Sequence, residues 1–260
     1  MKLIPLGTAG FIPTNGKETA SYLIILDKSA ILLDTGTGVK RLPERNIEKH
    51  LKKISELHII FSHLHHDHTA GFTWLLRLWT KELVLHLPTE PFVQFNGIKA
   101  LSQLTSSPFF ALEVSKWSNI KEIKAIDSSE IIIDKTKLQF IPQQHSGGSV
   151  GIRINNFSYI TDTESRKEIH SFIDGSDLLF IDTMHDKKDY MDMKISHIER
   201  AQHGYSIGNA NIAKEANIKR MGLIHIDPLY DNKRITNLVY EAKSVFKNSY
   251  IPEEGKLYEL

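Results

Sequence analysis

A dense group of metal-binding residue types follows directly on an apolar run in the first half of the chain. Residues 57–61 read Leu-His-Ile-Ile-Phe and predict a buried β-strand. The motif His-x-His-x-Asp-His comes next, formed by His63, His65, Asp67 and His68. Neutral imidazoles and carboxylates are ligands of zinc and of neighbouring first-row metals. The sequence therefore predicts a metal site where a strand ends at the edge of a sheet.

The composition limits the kinds of ligand and partner. The chain of 260 residues contains no cysteine, so any bound metal is held by nitrogen and oxygen atoms and not by thiolates. A net charge of +1 argues against a broad electrostatic surface for nucleic acid. No apolar run is long enough to span a bilayer, and residues 1–7 predict a first strand instead of a secretory signal. A cytoplasmic location, with no membrane partner, is the default expectation.

The first half of the chain reads as strands and helices. Three apolar runs within residues 1–33 predict an antiparallel meander. Asp34 follows the third run, and we expect it to hydrogen-bond near the metal ligands, because ligating groups need oriented support. The glycine-rich residues 34–38 lack the Gly-Lys-Ser/Thr signature of a phosphate-binding loop. Beyond the motif, the pattern predicts a helix over 72–79, a strand over 83–87 with His86 as a packing residue, and a helix over 90–104 interrupted at Gly97.

The second half predicts further strands, and metal-binding residue types follow three of them. His145, Asp162 and His225 each lie at or just beyond the end of an apolar run. The polar residues 186–200 are expected to shape either a pocket entrance or a subunit contact, and the sequence does not decide between the two. Strands are predicted over 131–133, 138–141, 150–154, 157–160, 178–181 and 221–228, and helices over 206–216 and 235–246.

The two halves are predicted to form one domain. No linker, repeat or low-complexity run separates them, and candidate ligands come from both. Each half reads as a sheet with helices. The predicted fold is a single α/β domain over residues 1–260, an αββα sandwich of two packed mixed β-sheets with helices on the outer faces. The metal site is expected at one edge of the sheets.

The ordered set of candidate ligands resembles that of the metallo-β-lactamase superfamily. The resemblance implies that His63, His65 and His145 bind a first metal ion. It implies that Asp67, His68 and His225 bind a second ion and that Asp162 bridges the two. Two divalent metal ions are therefore expected, with zinc as the first choice and manganese or iron as alternatives.

Three shorter stretches resemble one branch of this superfamily, which contains the tRNA 3′-processing endonucleases (ribonuclease Z) and related phosphodiesterases. These stretches are residues 145–151 near 159–164, residues 203–206 before a predicted helix, and residues 6–10. By this resemblance His203 matches a catalytic histidine. Its neighbours Gln202, Gly204 and Tyr205 depart from the Gly-His-Ser-Thr-like element of that branch. A homodimer is expected from the same resemblance.

The implied site is net positive and favours an anionic substrate, because two divalent cations outweigh Asp67, Asp162 and a bridging hydroxide. Paired metals lower the pKa of a bridging water and stabilise the oxygens of an in-line displacement. We assign the hydroxide as the nucleophile, Asp67 as its proton acceptor, and His203 as the donor of a hydrogen bond or proton to the phosphoryl or leaving oxygen. The predicted enzyme is a metal-dependent phosphodiesterase that acts on a small phosphodiester, such as a cyclic nucleotide or a short oligonucleotide.

The sequence bears on four other functions. The tRNA 3′-processing enzymes commonly carry a long arm between the counterparts of His145 and Asp162, where this chain has only two short strands and a turn, so binding of an extended nucleic acid is disfavoured. Hydrolysis of carboxylic esters, lactones or sulfate esters uses the same metals. A diiron oxidoreductase of this fold would ordinarily replace a histidine by glutamate in the first motif and add a flavin domain, and His65 and the chain length argue against both. A non-catalytic sensor would have lost ligands, and none is missing from the set.

Overall fold

The computed structural model describes residues 1–196 and 202–260. The chain divides into two compact units, each built around one seven-stranded sheet. The first unit contains residues 1–8, 12–128 and 253–259, and the second contains residues 9–11, 129–252 and 260. The two mixed sheets with their helices agree with the predicted α/β class. That all 260 residues form a single domain stays a prediction.

The sheet of the first unit has the order β14-β1-β2-β3-β4-β5-β6. The predicted meander is confirmed, because the first three strands pair antiparallel, and β3 to β6 then pair in parallel. Strands β2 and β3 are buried along their whole length, which explains their continuous apolar runs. The strands are β1 (Lys2–Gly7), β2 (Ser21–Ile25), β3 (Ser29–Leu33), β4 (Glu56–Ile60), β5 (Glu82–Pro88), β6 (Ile120–Ile126) and β14 (Tyr258–Glu259).

Side chains from the helices of the first unit and alternate residues of its strands form one apolar core. This core includes Leu57 and Ile59 of β4, Leu83 and Leu85 of β5, and Leu75 and Leu101 from helices. Burying a side chain of this size contributes about 1.5–3 kcal/mol. The α-helices are α1 (Arg45–Leu51), α2 (His66–Thr69), α3 (Leu75–Leu78) and α4 (Gly97–Leu104), and 3₁₀ turns span Thr37–Arg41, Phe72–Trp74 and Val114–Lys116.

Several features of the first unit differ from the sequence-based expectation. The helix predicted over 90–104 begins only at Gly97, where the side chain of Asn96 accepts a hydrogen bond from the Lys99 amide at 3.0 Å and so caps it. The helix predicted over 72–79 is a 3₁₀ turn followed by the four-residue helix α3. Strand β6 was not predicted, because its lysines and glutamate give it the polar sequence of an edge strand.

The sheet of the second unit has the order β13-β12-β11-β10-β9-β8-β7. Strands β7 to β10 pair antiparallel, and β10 to β13 pair in parallel. Every strand predicted for this half is present. The strands are β7 (Glu130–Ile133), β8 (Thr136–Gln143), β9 (Ser149–Ile154), β10 (Phe157–Ile160), β11 (Leu178–Asp182), β12 (Arg220–Ile224) and β13 (Ser249–Tyr250).

The described residues of the second unit form the α-helices α5 (His170–Ile173), α6 (Lys187–Ile195), α7 (Ser206–Glu215) and α8 (Asn232–Val245). The two predicted helices correspond to α7 and α8. Helix α6 lies in the polar residues 186–200 and was not predicted. It begins after Asp186, whose side chain accepts a hydrogen bond from the Asp189 amide at 2.8 Å. The end of that segment, including His197, lies outside the described residues.

Among the described residues, no helix is long and apolar enough to cross a bilayer.

Candidate metal centre

The first unit brings its four predicted ligands together beyond the carboxyl end of β4. The ring centroid of His63 lies 4.5 Å from that of His65 and 4.3 Å from that of His68. The Nε2 atom of His68 lies 3.5 Å from Oδ2 of Asp67. His65 is exposed, whereas the other three are buried. Because α2 begins directly after the loop that carries His63 and His65, one short stretch of backbone supplies three imidazoles and a carboxylate.

Asp34 orients this group from the end of the neighbouring strand β3. Its carboxylate accepts hydrogen bonds from the Ser62 amide and hydroxyl, both at 2.7 Å. Its Oδ2 also lies 2.8 Å from Nδ1 of His68. Because this contact engages Nδ1, the Nε2 atom that faces Asp67 is the nitrogen available to a metal. The expected hydrogen bond of Asp34 beside the candidate ligands is confirmed.

Three residues that follow strands adopt left-handed backbone conformations. The φ angles are 57° at Asp34, 46° at Asp162 and 58° at His225. Such angles are uncommon for residues other than glycine and cost energy, and they concentrate at functional sites. The contacts around these residues therefore have to offset the cost of this conformation.

The second unit brings together His145, Asp162 and His225. The two oxygens of the Asp162 carboxylate face different imidazoles. Oδ2 lies 3.5 Å from Nε2 of His145, and Oδ1 lies 3.6 Å from Nε2 of His225. A hydroxyl from Thr161 donates to Oδ1 at 2.6 Å, and the hydroxyl of Ser149 donates to the Asp162 carbonyl at 2.9 Å. This buried carboxylate is thus fixed with one oxygen toward each histidine.

His203 lies beside these residues and contacts a second buried carboxylate. Its Nδ1 lies 2.7 Å from Oδ2 of Asp182. Its ring centroid lies 5.2 Å from those of both His145 and His225. Burial alone would lower the pKa of His203, but the charge and hydrogen bond of Asp182 and the charge of Asp162 outweigh it and raise that pKa. Asp162, His203 and His225 offer ligand atoms within 4.8 Å of one another.

Asp182 is a site residue that was not singled out from the sequence. It is the last residue of β11 and is fully buried. Its carboxylate accepts hydrogen bonds from the amides of Thr163 at 3.1 Å and Met184 at 3.2 Å. Asn209 of α7 donates to the Asp182 carbonyl at 2.6 Å. The signal that could have found it is the one that marked Asp34, a carboxylate directly after a buried apolar run.

The amino-terminal residues 9–11, which belong to the second unit, pack against His225. Ala9 pairs with Ile226 in a parallel bridge. A Cβ atom on Gly10 would lie only 2.8 Å from Nδ1 of His225. Glycine at this position therefore allows the backbone to lie against the imidazole and fixes the ring from one side.

His86 is a packing residue, as expected. It is buried, and its Nε2 lies 3.0 Å from Nδ1 of His58. His58 in turn places its Nε2 2.7 Å from Oε1 of Glu56. Burial, together with the nearby His58 and Lys124, lowers the pKa of His86 to about 3. The imidazole is therefore neutral at ordinary pH, and its hydrogen bond accounts for its presence in the interior.

The donor types of both units fit divalent metal ions. Imidazole nitrogens and carboxylate oxygens bind zinc, manganese and iron. In each unit a buried aspartate contacts the Nδ1 atom of a histidine, an arrangement that orients metal-binding and catalytic imidazoles in proteins. The individual roles of the seven candidate ligands stay predictions.

Comparisons with known proteins relate the chain to one superfamily. A family model described as "Beta-lactamase superfamily domain" matches residues 29–226. The ribonuclease Z of Listeria monocytogenes serotype 4a is 25% identical over an alignment of 299 residues, which covers 96% of each chain. The ribonuclease Z of Haloarcula marismortui is 25% identical over 175 residues, and this match covers 64% of the chain and 49% of that relative, about half its length.

Solved structures of similar fold span the whole chain. The metallo-β-lactamase fold protein YhfI from Bacillus subtilis has a TM-score of 0.77 at 21% identity, covering 99% of this chain and 98% of that one. A diphosphatase from the PhnP family has a TM-score of 0.69 at 17% identity, covering 99% and 96%. At these identities the likeness concerns the fold, and the predicted metallo-β-lactamase fold is confirmed.

Proposed function

Because the chain belongs to the β-lactamase superfamily, whose model matches residues 29–226, we propose that it hydrolyses a small phosphodiester with two divalent metal ions. The chain is a metal-dependent hydrolase that acts on phosphoester bonds, and its substrate, its metal and the role of each residue are the proposal. The observation that carries it is the pair formed by His203 and Asp182, which lies beside Asp162 in the second unit.

The proposed ligand sets are those implied by the resemblance. His63, His65 and His145 hold one ion, Asp67, His68 and His225 hold the other, and Asp162 is shared. The orientation of the two Asp162 oxygens, one toward His145 and one toward His225 at 3.5 and 3.6 Å, supports the shared role. Zinc is the proposed metal, with manganese or iron as alternatives. When bound, the ions supply activation of water and stabilisation of developing negative charge.

Two side chains are proposed to carry out the proton transfers. Asp67 is the proposed acceptor of the proton from the attacking water. His203 directs Nδ1 to Asp182, so its Nε2 atom is the one proposed to donate a hydrogen bond to the phosphoryl oxygen or a proton to the leaving oxygen. Asp182 fixes the orientation of this ring, since its carboxylate is itself held by two backbone amides.

Two observations support a small substrate. Residues 145 and 162 are separated only by the hairpin of β9 and β10, which leaves no room for a long arm at this point. The alignment with the Listeria ribonuclease Z runs over 299 residues, more than the 260 of this chain, so that relative has residues without a counterpart here. A cyclic nucleotide or a short oligonucleotide is the proposed substrate class. We also propose that the protein is cytoplasmic and forms a homodimer.

A tRNA 3′-processing activity is the second candidate, and the likeness to two ribonuclease Z sequences favours it. It requires that a tRNA precursor be bound without the long segment between residues 145 and 162. The control substrate of the following experiment tests for hydrolysis of carboxylic esters or lactones.

The test is hydrolysis of bis(p-nitrophenyl) phosphate by metal-loaded protein, with Asp67→Ala and His203→Ala as variants and a p-nitrophenyl ester as the control substrate. We expect metal-dependent turnover of the diester that collapses in the Asp67 variant and exceeds turnover of the ester. Ester turnover without diester turnover overturns the phosphodiesterase proposal in favour of ester or lactone hydrolysis. Cleavage of a tRNA precursor in preference to cyclic nucleotides overturns the small-substrate part alone.

A further inference from the structure

Helix α6 contacts both of the segments that carry Asp162 and His203, although it supplies none of the proposed ligands. We propose that Tyr190 and Lys194 of this helix are positioning residues. They fix the positions of the Asp162 and His203 segments relative to each other. The reaction to which this positioning contributes is the one proposed above, whereas the contacts themselves do not depend on it.

The first contact joins α6 to the segment after Asp162. Nζ of Lys194 lies 2.8 Å from Oε2 of Glu164, and the hydroxyl of Tyr190 donates to the same oxygen at 3.3 Å. Glu164 is two residues beyond Asp162. The Lys194 ammonium also lies 5.5 Å from the centroid of the Tyr190 ring. Two side chains one helical turn apart thus hold one carboxylate.

The second contact joins α6 to the segment after His203. The rings of Tyr190 and Tyr205 are stacked, with centroids 4.1 Å apart and planes 10° from parallel. Tyr205 is two residues beyond His203. Stacked aromatic pairs stabilise a contact beyond the area that they bury. Tyr190 therefore contacts both segments, one through its hydroxyl and one through its ring.

The two segments are also joined directly at the same place. The amide of Tyr205 donates to the hydroxyl of Ser165 at 3.1 Å, and this hydroxyl donates to Oδ1 of Asn209 at 2.8 Å. A Cβ atom on Gly208 would collide with the Tyr205 ring and would lie 2.7 Å from Oγ of Ser165. The glycine in α7 leaves the space that Tyr205 occupies, so its ring is confined between α7 and Tyr190.

Tyr190 anchors the middle of α6, whereas a different set of contacts anchors its start. Within α6, whose nine residues are all described, Tyr190 is the buried one. The start of the helix is held by Arg234, which pairs with Asp186 at 2.8 Å and with Asp189, and by a hydrogen bond of 2.8 Å from Tyr230 to Asp189. We therefore expect α6 to stay folded when Tyr190 is replaced, while its hold on the two segments is lost.

The expected consequence is kinetic. Small misplacements of catalytic groups lower the rate of the chemical step strongly, up to about a hundredfold for roughly 1 Å. We expect Tyr190→Leu to lower kcat about tenfold and to leave KM within about twofold. Tyr190→Phe keeps the ring and loses only the hydroxyl, so it should retain most of the activity. Lys194→Met should lower kcat less than Tyr190→Leu, because the stacked rings remain.

The experiment compares these three variants with Lys188→Met as a matched control. Lys188 is on the exposed side of the same helix, where its Nζ lies 3.4 Å from Oδ2 of Asp192. Activity on bis(p-nitrophenyl) phosphate gives kcat and KM. A second readout needs no substrate. It is the low-field NMR resonance of the proton between His203 Nδ1 and Asp182, assigned by its absence in His203→Gln. Circular dichroism and melting temperature report folding.

The proposal is supported if Tyr190→Leu lowers kcat and shifts or broadens the His203 resonance, while Tyr190→Phe has smaller effects on both and Lys188→Met behaves as the parent protein. It is overturned if Tyr190→Leu lowers the melting temperature but leaves both kcat and the resonance unchanged, since its role is then only structural. It is also overturned if Lys188→Met has the same effects. If the parent protein hydrolyses no diester, the proposed function fails, and the resonance still decides whether α6 positions His203.

Discussion

The two units each hold a histidine with a buried carboxylate, but they build that pair in different ways. In the first unit Asp34 contacts His68, which belongs to a run of four candidate ligands within six residues. In the second unit Asp182 contacts His203, and the candidate ligands are spread from residue 145 to residue 225. One group is set by a short motif, and the other is assembled by contacts between distant segments.

This difference predicts different sensitivities to mutation. Around Asp34 the supporting donors come from Ser62, which adjoins the motif. Around Asp182 they come from Thr163, Met184 and, at the backbone carbonyl, Asn209. Replacing residues that are not ligands should therefore affect the second group at more positions than the first. The changes that follow test this contrast.

The largest effect is expected for Asp162→Ala, because this carboxylate is proposed to serve both metal ions. Metal content should fall below two ions per chain, and kcat on bis(p-nitrophenyl) phosphate should fall by about a thousandfold or more, since several kcal/mol of transition-state stabilisation is lost. Asp177→Ala is the control, because Asp177 makes a surface ion pair with Lys219 at 2.5 Å in the same unit. Retention of two ions with undiminished kcat would show that Asp162 is not shared.

The next effect is expected for Asp182→Asn, which keeps the shape of the side chain and removes its charge. The His203 imidazole then loses its negative partner, and kcat should fall about a hundredfold, the typical contribution of a positioned acid or base. Metal content should stay unchanged, and added metal should not restore activity. Metal analysis and kinetics on the same preparation check this. Loss of metal from this variant would instead show that Asp182 orients a metal-binding residue.

A smaller and different effect is expected for Asp34→Asn in the first unit. Replacing a carboxylate that orients a metal-binding histidine typically lowers metal affinity by about 10–100-fold. Competition with a chelator measures that affinity, and excess metal should restore activity. Asp27→Asn, an exposed position between β2 and β3, is the control. If Asp34→Asn instead lowers kcat at saturating metal, as expected for Asp182→Asn, the functional distinction between the two carboxylates disappears.

The same contrast explains how much of the site could be predicted from the sequence. His63, His65, Asp67 and His68 were found because a strand and a motif within one stretch predict both their position and their chemistry. Asp34 was found because it directly follows an apolar run. His145, Asp162, His203 and His225 required the resemblance to a family, since their proximity depends on strands that are far apart in sequence.

The residues that were missed depend on long-range contacts alone. Nothing near Asp182 or Asn209 in the sequence indicates that they contact each other across 27 positions. Helix α6 was missed because it has one buried residue, Tyr190, and so lacks an apolar period. Strand β6 was missed because its exposed charges suit an edge strand. Sequence patterns predict elements that bury a face, and they do not predict elements held by individual polar contacts.

The first unit also contains a buried pair of histidines, His58 and His86, in hydrogen-bond contact. The pKa of His86 is lowered from 6.5 to about 3 in the folded protein by burial and by the nearby His58 and Lys124. The unfolded chain therefore binds the proton more readily between these two values. Folding stability that is fully present above pH 6.5 is lost as the pH falls, by up to about 2 kcal/mol at pH 5.

His86→Leu should remove this contribution. The variant can be less stable than the parent at pH 8, because the hydrogen bond to His58 is lost, but its unfolding free energy should fall less steeply between pH 7 and pH 5. Urea unfolding at several pH values measures both slopes, with His170→Gln in the second unit as the control. Because histidines elsewhere titrate in both proteins, only the difference between the slopes reports His86. Parallel slopes would mean that the imidazole pair does not weaken the first unit in acid.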